Sequence, residues 1–237
     1  MNTLIILSAA LLPVLILLIY IYRRDPEKEP ISELLKAFFM GVLICVPVAI
    51  AENYIQSLLF GPGGQPTTIL GSTAMAFLVA ALPEETAKLI ALWLIVRKNR
   101  YFDEHFDGIV YAVCVSLGFA AIENVGYVLT NENWMSVAIS RALLAVPGHY
   151  AFAVMRGYYY SLYHFVDRSW KNRISILLVP VMAHGVYDSL AMSGSVDPVI
   201  GGIAFVVLIY FCIKLHKAAQ RKITDLAASS TRNSSAQ

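Results

Sequence analysis

Three ionisable side chains lie close together in a strongly apolar stretch, where charges are costly. Glu84 and Glu85 are adjacent, and Lys88 follows at i+4 and i+3, inside the apolar run from Ile69 to Val96. A charge at bilayer depth costs at least about 2.5–3.5 kcal/mol, and adjacent carboxylates also repel each other. At this helical spacing Lys88 can reach either carboxylate. Groups of this kind usually face the interior of a helix bundle and mark a site.

Further polar groups interrupt three later apolar stretches. They are Glu123 with Asn124, His149 after Pro147-Gly148, and the i,i+4 pair His184 and Asp188. Carboxylates and imidazoles in a desolvated cavity suit water activation, with Glu as general base and His orienting the water or donating a proton. A second His with Asp or Asn can stabilise an oxyanion. The same residue types can instead bind zinc, although the sequence has no HExxH motif.

The depths of these groups predict that they meet. At 1.5 Å per residue, Glu84 lies about 20 Å, Glu123 about 24 Å and His184 about 16 Å from the basic ends of their spans. Against a hydrocarbon core of about 30 Å, these levels are similar. We therefore predict that Glu84, Glu123, His149 and His184 line one cavity. Each group also has a structural alternative, such as an ion pair with Lys88 or a hydrogen bond in the core.

The elements that position these residues are membrane helices. Of the 237 residues, 58% are hydrophobic and only 14% are charged, which is typical of a polytopic membrane protein. We predict an all-α transmembrane helix bundle of about seven spans in contact with the lipid bilayer. The short basic flanks form no extended basic face, so we expect no nucleic-acid partner. The predicted spans are 3–22, 33–60, 67–96, 107–129, 135–166, 173–192 and 197–216.

The loop charges predict the orientation of the bundle. Basic residues follow the first, third, fifth and last spans, whereas the loops between them have none. The positive-inside rule then places the N-terminus outside and the C-terminus in the cytoplasm. Residues 1–217 are predicted to form one membrane domain. The polar composition of residues 218–237 predicts a disordered cytoplasmic tail.

At these polar positions the chain resembles the PrsW family of intramembrane proteases, within the superfamily of CAAX-processing and bacteriocin-processing endopeptidases. The resemblance runs from about Leu34 to Ala191, with the motifs in family order. The matching pieces are Glu84-Glu85-x-x-Lys88, Phe119-x-x-x-Glu123, Pro-Gly-His149 and His184-x-x-x-Asp188.

The resemblance implies an enzyme of the bacterial cytoplasmic (inner) membrane that cuts a single-span membrane protein, such as an anti-sigma factor, on its extracytoplasmic side. We expect a glutamate-type endopeptidase without a cofactor. Glu84 or Glu85 would activate water, and His149 or Glu123 would orient it. The remaining site residues would be His184 with Asp188, supported by Lys88 and Asn124. Relatives in the CAAX group commonly have His where this chain has Glu123.

Three alternatives stay open at this point. A zinc-type intramembrane metalloprotease would use the Glu, His and Asp side chains as ligands. A proton-coupled transporter would use the same residue types as a proton relay, but the inverted repeats common in transporters are not visible. A membrane scaffold without catalysis would need only the helices.

Overall fold

The computed structural model describes residues 3–234, and side chains for residues 3–226. Across this range the chain forms helices and no strands, which confirms the predicted all-α class. Nine α-helices follow one another. They are α1 Thr3–Arg24, α2 Ile31–Phe60, α3 Ile69–Ala74, α4 Leu82–Val96, α5 Asp107–Thr130, α6 Trp134–Ser140, α7 Val146–Ser161, α8 Trp170–Met192 and α9 Pro198–Ser234.

Six helical stretches in the described residues are long and apolar enough to cross a membrane. They are Thr3–Arg24, Ile31–Phe60, Asp107–Thr130, Trp134–Val166, Trp170–Ser195 and Pro198–Leu226. The one remaining predicted span, 67–96, is helical from Ile69 to Val96. It is the stretch that contains Glu84, Glu85 and Lys88. The polytopic helix bundle is therefore confirmed.

The centre of the bundle is α5, which packs against α1, α2 and α7. Small residues let these helices approach closely. A Cβ added to Gly157 of α7 would lie 2.3 Å from the carbonyl oxygen of Gly108 on α5. A Cβ added to Gly118 would lie 2.0 Å from the carbonyl oxygen of Phe38 on α2. Contacts this tight fix α5 between two neighbouring helices that help to build the site.

The helices that carry Glu84 and His149 begin in the same way, with a π-helical segment and then a proline. The segments and prolines are Met75–Ala81 with Pro83, and Arg141–Ala145 with Pro147. In the first of them the Leu82 N–H bonds to the carbonyl of Phe77, five residues earlier. Proline has no N–H and its ring crowds the carbonyl four residues before it, so a wider turn relieves the clash. The wider turn also sets the direction in which the next side chains point.

The end of the chain differs from the disordered tail expected for residues 218–237. Helix α9 continues to Ser234. Ala219, Ile223 and Leu226 are buried against the main core. Their spacing of four and three residues forms one apolar helix face, which the polar composition of the segment concealed. Residues 235–237 lie outside the described range.

Candidate active site

One cavity of about 1210 Å³ brings together polar side chains from different helices. The predicted site residues that line it are Glu84 of α4, Glu123 of α5, His149 of α7, and His184 and Asp188 of α8. This confirms that the groups converge. The other predicted residues, Glu85, Lys88 and Asn124, are fully buried next to this cavity wall.

The two adjacent glutamates have different surroundings. Glu84 lines the cavity, and its Oε2 lies 2.6 Å from Lys88 Nζ. The side chain of Glu85 is completely buried. Its Oε1 lies 3.0 Å from both Lys88 Nζ and His184 Nδ1, and its Oε2 pairs with Arg156. Glu84 can therefore meet a substrate, whereas Glu85 joins three helices from within the wall.

Lys88 is the central cation of the site. Its ammonium group donates to Glu84 and Glu85 and lies 3.2 Å from His149 Nδ1. An ammonium group has no acceptor, so His149 Nδ1 accepts this hydrogen bond. The proton of the neutral imidazole is then on Nε2, which donates to Glu123 Oε2 at 2.8 Å. Lys88 thus fixes the His149 tautomer as well as the position of Glu84.

His184 lies between two carboxylates. Its Nδ1 is 3.0 Å from Glu85 Oε1, and its Nε2 is 3.2 Å from Asp188 Oδ2. The ring stacks on Phe152 with a centroid distance of 4.9 Å, and the His149 ring is 5.3 Å away. When both nitrogens carry protons, His184 can donate to both acids at once. The i,i+4 spacing of His184 and Asp188 therefore produces the contact that the sequence predicted.

Two arginines beside the cavity, Arg141 and Arg156, form ion pairs with site acids. Arg141 Nη2 lies 3.0 Å from Glu123 Oε2, and its Nε donates to Asn124 Oδ1 at 2.6 Å. The amide of Asn124 in turn donates to the carbonyl of Ala10 in α1 at 2.6 Å. Two hydrogen bonds and the Arg141–Glu123 ion pair therefore connect α1 to Glu123. Arg156 is the buried partner of Glu85.

Sequence reasoning missed one acid of the cavity, Glu52 of α2. A signal was present, because Glu52 is the one charged side chain between Lys36 and the end of α2 at Phe60. An acid in an apolar helix is unusual enough to indicate a functional position. It was overlooked because it belongs to none of the four motifs.

The site also contains a possible set of metal ligands. One donor atom from each of Glu84, His149 and His184 lies within 4.8 Å of the other two. One carboxylate and two imidazoles match the ligands of several catalytic zinc sites. In the present arrangement Lys88 faces His149 Nδ1, and both His184 nitrogens face carboxylates. The three residues fit a metal ion by type and proximity, provided that these hydrogen bonds rearrange.

Residues 29–215 match the family model described as PrsW family intramembrane metalloprotease. This range is most of the chain and includes every motif residue discussed above. The chain belongs to the PrsW family. The resemblance noted in the motifs is thereby confirmed, and the chain is a multi-pass membrane protein of a protease family.

Bacterial proteins named protease PrsW are similar along most of their length. The one from Geobacillus kaustophilus is 38% identical over 190 residues, covering 79% of this chain and 80% of the relative. The Clostridioides difficile protein is 32% identical over 207 residues, with 85% of each chain covered. The Bacillus subtilis protein is 34% identical over 186 residues, covering 77% and 81%. No solved structure gives a significant match.

Proposed function

We propose that the protein is an intramembrane endopeptidase in which Glu84 activates the attacking water. The observation that carries this proposal is the different access of the two neighbouring acids. Glu84 lines the cavity, whereas Glu85 is sealed in the wall. Lys88 engages Glu84 Oε2, and no described residue hydrogen-bonds to Oε1. A carboxylate held by one oxygen and open at the other is suited to take a proton from water.

The other cavity residues have complementary roles in this mechanism. Glu84 takes the proton of the attacking water and then transfers it to the amine that leaves. His149, fixed by Lys88 and Glu123, orients the water. His184, held between Glu85 and Asp188, supplies positive charge near the carbonyl oxygen where negative charge develops.

The proposed substrate is a single-span membrane protein, such as an anti-sigma factor, cut in its extracytoplasmic juxtamembrane segment. The cavity wall includes Gln65, Pro66 and Ser195, which lie in connections without basic residues. The positive-inside rule places those connections outside the cytoplasmic membrane, with the N-terminus outside and the C-terminus inside. A bond near the outer boundary reaches the site after modest unwinding. A bond near the cytoplasmic boundary would leave backbone groups unsatisfied in lipid at several kcal/mol each.

The test uses purified protein in liposomes with a panel of single-span substrates. We expect Glu84→Gln to lower the cleavage rate by about 10²–10⁴-fold without loss of folding. The matched control is Glu132→Gln, since Glu132 is an exposed acid in a loop and does not line this cavity. Mass spectrometry of the products locates the cut. Cleavage on the cytoplasmic side contradicts the proposed topology, and full activity of Glu84→Gln contradicts the mechanism.

A metal-dependent form of the same proteolysis is the second candidate. It is favoured by the proximity of donor atoms from Glu84, His149 and His184 and by the description of the matching family as metalloproteases. These three residues would hold the ion. When bound, such an ion lowers the pKa of an attached water and polarises the scissile carbonyl.

Metal analysis separates the two mechanisms. Stoichiometric zinc in the purified protein, lost in His149→Ala and His184→Ala, would favour the metalloprotease. Activity that survives a chelator in protein free of stoichiometric metal would favour the glutamate mechanism. Substrate panels should be repeated after zinc is added back, so that loss of metal is distinguished from loss of folding.

A further inference from the structure

Glu52 differs from the other acids of the cavity because it has no counter-charge. Each of the other lining acids has a basic partner within 3.2 Å. The pairs are Glu84 with Lys88, Glu123 with Arg141, and Asp188 with His184. Among the residues whose side chains are described, none forms a hydrogen bond or an ion pair with Glu52. This acid is therefore available to a ligand.

The charges around the cavity balance without Glu52. The paired acids are Glu84, Glu85, Glu123 and Asp188, and their fixed cationic partners are Lys88, Arg141 and Arg156. His184 completes the balance when both of its nitrogens are protonated. When it is ionised, Glu52 adds one surplus negative charge in a cavity within the membrane. Since an unpaired carboxylate away from bulk water is costly, a ligand that brings a cation would be stabilised there.

The position of Glu52 is on the route from the outer loops to Glu84. It lies eight residues before the end of α2 at Phe60, about 12 Å along the helix axis. One turn closer to that end, Gln56 also lines the cavity and donates to the carbonyl of Gly64 in the following loop at 2.9 Å. A polypeptide that enters from this side passes Glu52 before it reaches the proposed base.

We propose that Glu52 binds a Lys or Arg side chain of the substrate on the extracytoplasmic side of the scissile bond. This inference rests on the proposed function and narrows its substrate class. Basic residues are less frequent next to the outer end of a span than next to its cytoplasmic end. A requirement for a basic residue next to the outer end of the span therefore selects a minority of single-span proteins. Glu52 contacts the substrate away from the reacting atoms, so it determines KM and substrate choice more than kcat.

A binding experiment tests this without requiring cleavage. The probe is a fluorescent synthetic peptide with one apolar segment of about 20 residues and an extracytoplasmic arm. Lys, Gln or Glu is placed in turn at each position of the arm. The peptides are titrated against nanodiscs that contain the protein with Glu84→Gln. At the best position we expect the Lys peptide to bind about tenfold tighter than the Gln peptide, as for one charge-assisted hydrogen bond, and the Glu peptide to bind most weakly.

Two substitutions added to this background should respectively remove and reverse the preference for the Lys peptide. Glu52→Gln should bring the Lys-to-Gln affinity ratio close to one, and Glu52→Lys should make the Glu peptide the tightest ligand. The matched control Glu132→Gln should keep the tenfold ratio. Equal binding of the three peptides at every arm position overturns the proposal. A Lys preference that survives Glu52→Gln also overturns it.

The cleavage assay with the unsubstituted protein distinguishes this proposal from the proposed function. Cleavage that requires Glu84 but is equal for the Lys and Gln peptides rejects the role of Glu52 alone. A charge preference in binding that depends on Glu52, with no cleavage of any peptide, rejects proteolysis and supports the cation-binding role.

Discussion

Buried acids occur at two levels of the bundle, and the protein stabilises them in two ways. In the cavity and its wall, four of the five acids discussed above pair with Lys, Arg or His. Near the start of α5 a second group, here called the acid cluster, consists of Asp25, Glu29 and Asp107, all buried. Its contacts are mostly neutral. The Tyr111 hydroxyl donates to Glu29, and two backbone N–H groups donate to Asp107 Oδ2 at 2.8 and 2.9 Å.

This difference shows which of the two levels of the bundle is suited to catalysis. Burial raises the pKa of Asp25 to about 6 and also raises the pKa of Glu29. At Asp25 burial outweighs the opposite effect of the nearby Lys28 charge, so these acids are shifted towards their neutral forms. In the cavity, opposite charges let carboxylates remain ionised away from water. A general base must be ionised before it can accept a proton, so the cation-rich level is where catalysis is expected.

The largest effect should come from removing a cation at the cavity level. Arg156→Met leaves the Glu85 carboxylate buried without one of its partners. We expect a loss of about 3–5 kcal/mol in the free energy of unfolding, measured by denaturation in mixed micelles. Arg100→Met, at an exposed arginine, is the control and should change stability by less than about 0.5 kcal/mol. Adding Glu85→Gln to Arg156→Met should recover part of the loss, and no recovery would show that charge pairing is not the cause.

An intermediate effect is expected at the rim of the cavity. Arg141 contacts Glu123 and Asn124, and its side chain is 12% exposed. Arg141→Met should lower stability by about 1–3 kcal/mol, since Glu123 keeps its hydrogen bond to His149. It should also lower kcat by at least about tenfold, because His149 loses a fixed partner position. Arg141→Lys should restore a larger share of the lost kcat than of the lost free energy of unfolding. An unchanged kcat in Arg141→Met would show that the contact between Arg141 and Glu123 does not affect catalysis.

The smallest effect should appear in the acid cluster, with a defined pH dependence. The pKa of Asp25 rises from 3.8 to about 6 on folding. Between these values the folded protein binds a proton that the unfolded chain releases, so the contribution of Asp25 to stability falls as pH rises from about 4 to 6. Asp25→Asn should remove this slope and stabilise the protein at pH 8 by about 1 kcal/mol. Melting temperatures across pH 4–8 test this, and an unchanged slope would contradict it. Cleavage activity should stay the same.

The sequence was sufficient to predict the membrane spans and to predict that the acids and histidines converge. Apolar run length predicts spans directly, and charges at membrane depth must find partners. Which of Glu84 and Glu85 faces the cavity could not be predicted, because the direction of both side chains depends on the π-helical segment before α4, which hydropathy does not reveal. Glu52 was missed because motifs were given more weight than depth. The end of α9 was misjudged because composition was given more weight than the spacing of Ala219, Ile223 and Leu226.

The hydrogen bond from Asn124 to the Ala10 carbonyl bears on how far the protein can be shortened at its N-terminus. The family match begins at residue 29, after α1 has ended. A shortened protein starting there would keep every motif residue. It would lose the Ala10 carbonyl that accepts from Asn124, and Asn124 in turn accepts from Arg141, the ion-pair partner of Glu123. The start of the family match is therefore not the start of the unit that positions Glu123, and the first helix supports the site although it carries none of the motifs.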